Sequence, residues 1–123
     1  MQRAYKFISH HQHGDVFCVH FKQTKLEDHE LEELGAELGR LIDEENCRKM
    51  IVNLGPSDPE LLYSLFLAKL IGLHRRLDGA GGGLALAHVS DDARNLFRVA
   101  GIEKFFRFYP DQQSALQALN AAV

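Results

Sequence analysis

The sequence predicts an α/β domain with parallel strands in its sheet, on two observations. Apolar residues alternate with period two up to about residue 21 and then recur at three- and four-residue steps from Asp28. Beyond that first helix, short apolar runs alternate with amphipathic stretches, and strands that alternate with helices imply parallel neighbours. A chain of 123 residues, 46% hydrophobic and 25% charged, suits one globular domain, residues 1–123, large enough to bury a core.

The first element is a β-hairpin over residues 5–21, with the residues from His10 to Asp15 between its two stretches. In the second stretch Phe17, Val19 and Phe21 share one face and Val16, Cys18 and His20 the other, the pattern of a half-buried strand. Gly14 and Asp15 suit its turn.

Leu31, Leu34, Leu38, Leu41 and Ile42 then mark an amphipathic helix, with Asp28 as its N-cap and Asn46 at its end. Met50, Ile51 and Val52 form a continuous apolar run, too short for a helix and suited to a central strand covered on both faces. The cluster Gly55, Pro56, Ser57, Asp58, Pro59 is a loop into a second helix, where Asp58 fits an N-cap and Pro59 the first helical position.

Leu62, Leu65, Phe66, Leu70, Leu73 and Leu77 carry that helix, and His74, Arg75 and Arg76 place positive charge in its last turns. The run 84–89 is the next strand, and Ser90 caps a short helix with Ala93, Leu96 and Phe97 that Gly101 closes. Residues 105–109 form a last strand. Pro110 breaks it, and Asp111 begins a final helix through Ala115, Leu116 and Leu119.

Charge and composition exclude several functions. The 14 Lys+Arg against 17 Asp+Glu give a net charge of -3, without the positive surplus that binding a nucleic-acid backbone requires. No apolar run approaches the roughly 20 residues that span a bilayer. The opening MQRAYKF also lacks a signal-peptide apolar region, so a soluble, cytoplasmic protein is expected. Cys18 and Cys47 have no C-x-x-C spacing and read as small buried hydrophobes.

Candidate sites are sparse. His10, His11 and His13 read as a solvated loop, and without H-E-x-x-H or Cys/His pairing no metal or cofactor is expected. Gly79, Gly81, Gly82 and Gly83 follow a helix and precede a strand, the reverse of a phosphate-binding loop, and read as a helix stop. Asp91 and Asp92 sit where an N-cap and a helix dipole explain them, and no nucleophile, base and orienting group pair up, so no enzyme is expected. Ser64 lies where a loop enters a helix, and phosphate there would meet the positive helix end.

The segments 69–77 (KLIGLHRRL), 82–90 (GGLALAHVS) and 99–106 (VAGIEKFF), with the order of elements around them, resemble the STAS domain of anti-sigma-factor antagonists. The resemblance covers nearly the whole chain. It implies a four- or five-stranded mixed sheet backed by helices, and a loop after the central strand carrying Asp-Ser-Ser/Thr-Gly-Leu-Gly, whose first serine is phosphorylated. Aligned from the long helix, Ser64 falls on that serine and Leu67 on the leucine. Tyr63 replaces the aspartate, Leu65 the second hydroxyl residue, and Phe66 and Ala68 the two glycines.

The resemblance further implies a bacterial partner switch in transcription control. The unphosphorylated antagonist docks on an anti-sigma factor that is also a serine kinase, and phosphorylation ends the association. The docking surface it implies is Ser57, Asp58, Leu62, Tyr63, Ser64 and Leu65, with Ser90, Asp91 and Asp92 alongside at the strand ends. Two further readings accompany it. One is a constitutive dimerisation surface around Leu61, Leu62, Leu65 and Phe66. The other is a small-molecule sensor with a pocket lined by His20, Tyr63 and His88.

Overall fold

The computed structural model describes residues 5–22, 26–54 and 64–121, with only the backbone of Ser64 and Ala121. A five-stranded sheet runs in the order β1 (Ile8–His13), β2 (Val16–Phe21), β3 (Lys49–Asn53), β4 (Gly83–Ala87), β5 (Arg107–Tyr109). β1 pairs antiparallel with β2, and every later pair is parallel, which makes the sheet mixed. The helices are α1 (Asp28–Asp43), α2 (Ser64–Gly79), α3 (Asp91–Val99) and α4 (Gln112–Ala121).

Strand pairing in the hairpin runs from His13–Val16 back to Ile8–Phe21, so the turn needs only Gly14 and Asp15. Gly14 takes φ +65°, a left-handed conformation that glycine adopts without a Cβ clash. His10, His11 and His13 are therefore strand residues and not the solvated loop expected from their polarity. β2 is buried on both faces rather than half-buried, because helices cover the sheet from both sides: Val16, Cys18 and Val19 are fully buried.

The faces divide the core in two. Phe17, Val19, Met50, Val52, Leu84 and Leu86 point into the larger cluster, where α1, α2 and α3 supply Leu31, Leu34, Phe66, Leu70 and Phe97. Val16, Cys18, Ile51, Ala85 and Ala87 face the other way and pack on Ala115, Leu116 and Leu119 of α4. Period-two alternation thus sorts each strand between a three-helix layer and a single-helix layer.

Several element ends differ from expectation by one to three residues, each for a local reason. Glu27, extended at φ −75° and ψ 164°, caps α1 in place of Asp28, and its backbone N–H donates to Glu30 Oε1 at 2.9 Å. α1 stops at Asp43, and the left-handed Asn46 (φ 61°) turns the chain so that the Cys47 N–H reaches Leu41 O at 2.9 Å. A 3₁₀ turn, Glu103–Phe105, takes up the start of the expected last strand and leaves β5 three residues long.

The glycine run stops α2 as expected: the Gly82 N–H donates to Leu77 O at 2.9 Å, with Gly81 left-handed at φ +85°. Ser90 caps α3, its Oγ accepting from the Ala93 N–H at 3.0 Å, and Gly101 closes it at φ +76°. The expected caps at Asp58 and Pro59 lie outside the described residues. No helix among the described residues is long and apolar enough to cross a membrane.

Candidate functional site

Because β2 to β5 run parallel, their C-terminal ends share one edge of the sheet, and the helices that follow begin there. Helix N-termini carry free amides and partial positive charge, and the crevice beyond the strand ends is where α/β sheets of this kind bind ligands and partners. The residues at this edge are His20, Asn53, His88, Ser90, Asp91, Asp92, Tyr109, Asp111 and Gln112.

Asn53, the last residue of the central strand, is 2% exposed. Its Nδ2 donates to Val19 O at 3.2 Å and to Gln112 Oε1 at 3.0 Å, and lies 3.4 Å from His20 Nε2. Those contacts tie β2, β3 and α4 together beneath the edge. Its Oδ1 is buried and has no hydrogen-bond partner among the described residues. Sequence reasoning passed over Asn53; the signal was a single amide ending the apolar run MIVN.

Beside it, His88 leaves β4 in the left-handed region at φ 57°, strained for a residue with a Cβ. That turn delivers Ser90 to its capping position, with Asp91 and Asp92 exposed in the first turn of α3. Asp111 caps α4, its Oδ1 accepting from the Ser114 N–H at 2.8 Å. The backbone and then the side chain of Ser114 hold the Asp111 carboxyl below its usual value, and His88 nearby adds to this.

A cavity of about 220 Å³ opens here, lined by Val89, Asp91, Arg94, Phe108, Tyr109 and Pro110. Arg94 forms one wall, its guanidinium 4.7 Å from the Phe108 ring centroid and its Nε 3.1 Å from Glu103 Oε2. The edge presents an acidic rim around a half-buried tyrosine and an arginine held in place by two contacts, a composition suited to docking a protein surface.

Of the residues named from sequence, Ser57, Asp58, Leu62 and Tyr63 lie outside the described residues. Ser64 is the first described residue of α2, the helix that follows β3. Leu65 is half-buried against the main core, and Phe66 is fully buried, edge-to-face with Phe21 at 5.6 Å. Ser90, Asp91 and Asp92 sit together at the head of α3. His20 lies against Asn53, and neither it nor His88 lines the cavity at this edge.

A mixed five-stranded sheet of this order, with three helices on one face and one on the other, is the fold of the STAS domains of anti-sigma-factor antagonists. A STAS-domain protein from Planctomyces limnophilus superposes with a TM-score of 0.78 at 22% identity, covering 92% of this chain and 97% of that one. The anti-sigma factor antagonist SpoIIAA in its unphosphorylated form gives a TM-score of 0.74 at 16% identity, over 94% and 98%. SpoIIAA from Bacillus in its phosphorylated form gives 0.67 at 15% identity, over 90% and 98%. No family model matches the sequence.

Proposed function

We propose that this chain is a cytoplasmic, bacterial protein-docking module of the partner-switching kind. It binds an anti-sigma factor with serine-kinase activity through the C-terminal edge of its sheet, and phosphorylation of Ser64 ends the association. It is a substrate and binding partner, not an enzyme. The observation that carries this reading is the place of Ser64: it lies in α2, the helix that follows β3, on the side of the sheet edge that also holds the Ser90 cap, Asp91 and Asp92.

Phosphate there adds about two negative charges toward the N-terminal, positive side of α2, so the helix tolerates it while a docked acidic or apolar surface does not. The fold neighbours are antagonists of this class, one of them solved with and without phosphate. The departures at Leu65 and Phe66 fit the same reading, because both side chains pack into this chain's own core. That packing also draws Phe66 away from any dimerisation surface.

The test is capture of partners from the native cell on wild type, Ser64→Ala and Ser64→Asp, with intact-mass analysis of the purified chain. The reading expects a captured kinase that phosphorylates Ser64 with ATP and is retained by Ser64→Ala but lost by Ser64→Asp. An unmodified Ser64 and equal behaviour of all three variants would rule the switch out.

A further inference from the structure

The face of the sheet under α4 is not covered to its edge. α4 packs on residues of β2, β3 and β4, while the β1 residues on that face, Ser9, His11 and His13, are exposed. The register places His11 directly opposite Cys18, and His13 lies two residues further along the same strand, so all three side chains leave the sheet on one side. One ligand atom from each of His11, His13 and Cys18 lies within 4.8 Å of the other two.

We propose that His11, His13 and Cys18 form a binding site for a zinc-class divalent cation at the open edge of the sheet. Two imidazoles and one thiolate are the borderline-soft donor set that zinc prefers over harder cations. Zn–N bonds near 2.0 Å and Zn–S bonds near 2.3 Å at tetrahedral angles set donors about 3.3–3.6 Å apart. Separations of up to 4.8 Å therefore need to close by at most about 1.5 Å, which rotation of two exposed imidazoles supplies.

Cys18 is the fixed corner. It is fully buried in the second strand of the hairpin, and zinc binding displaces its thiol proton, which leaves to solvent. The fourth position falls to water or to His20, whose ring stacks on His11 at 5.7 Å and 17°. His11 in turn meets His13 edge-on at 4.9 Å, which sets the three imidazoles side by side on this face.

His10 provides an internal control. One residue from His11, it points to the opposite face, where its ring packs against Tyr5 at 5.0 Å and Phe17 at 6.0 Å. A site made by geometry excludes His10; a merely histidine-rich segment does not.

The experiment titrates the purified chain with Zn²⁺, and with Co²⁺ as a spectroscopic probe, in wild type, His10→Asn, His13→Asn and Cys18→Ser. The expected result is one zinc per chain and a thiolate-to-cobalt charge-transfer band. His10→Asn should retain both, His13→Asn should weaken binding about tenfold or more, and Cys18→Ser should abolish the band. Circular dichroism checks that each variant folds, and exposed His13 keeps the test open if Cys18→Ser does not. Absence of stoichiometric zinc, or equal losses in His10→Asn and His13→Asn, would overturn the site.

Discussion

Asn53 Nδ2 donates to Gln112 Oε1 at 3.0 Å, joining the end of the central strand to the first turn of the last helix. The bond is made below the C-terminal edge of the sheet, where Asn53 is shielded from water. Asn53→Ala removes it together with the donation to Val19 O and leaves that strand carbonyl without its side-chain partner. Urea denaturation should register a loss of about 1–3 kcal/mol. An unchanged midpoint and slope would mean that water replaces the amide at no cost.

Glu37 is the buried acid of α1, 7% exposed. Its Oε2 accepts from the Lys6 N–H at 2.7 Å and its Oε1 from the Phe7 N–H at 3.0 Å, fixing the chain that enters β1. Glu37→Ala leaves two donors without an acceptor and should cost about 2–4 kcal/mol. Glu37→Gln keeps one acceptor oxygen and should fall between wild type and alanine in denaturation midpoint.

Two glycines should respond in opposite directions. A Cβ on Gly82 would sit 1.6 Å from Arg48 O, backbone that the Gly83 N–H also contacts at 2.9 Å, so the strands must part to admit it. Gly82→Ala should cost more than about 3 kcal/mol or prevent folding. Gly72 lies exposed within α2, and a Cβ added there would meet nothing within 4 Å, so Gly72→Ala should stabilise by about 0.5–1 kcal/mol. Thermal melts of the two variants read both signs.

Burial pushes the Cys47 thiol up to about 12, against the opposing but smaller effect of the Arg48 charge. The folded state therefore holds the proton over a range in which the unfolded thiol, near 9, has released it. This contribution to stability is complete below about pH 9 and is lost as pH rises towards 12. The stability advantage of wild type over Cys47→Ala should shrink across that window, by up to about 1.4 kcal/mol per pH unit. A difference that stays level from pH 8 to 11 would contradict it.

Elements defined by periodicity were readable in the sequence. Leu31, Leu34, Leu38 and Leu41 place α1, and Met50 to Val52 place the central strand, because burial on one face or two leaves a repeat of 3.6 or an unbroken run. Short polar signals were less informative. His10 to His13 resemble a loop by polarity, yet an edge strand with one exposed face tolerates such side chains. Asn53 and Glu37 carry no periodic signal, since each is a single polar residue hydrogen-bonded to groups distant in sequence. The proximity of Cys18 to His11 depends on the hairpin register, which a two-residue turn sets and composition does not.

Docking of the partner on the C-terminal edge of the sheet, around Ser64, is tested by the affinity of the captured kinase-like partner for wild type, Ser64→Asp, Asp91→Lys and Arg107→Glu. Asp91 lies at that edge, and exposed Arg107 begins β5 at the opposite one. Ser64→Asp and Asp91→Lys should each weaken binding about tenfold or more, and Arg107→Glu should leave it unchanged. Weakening by Arg107→Glu alone would place the interface at the other end of the strands and contradict docking at the Ser64 edge.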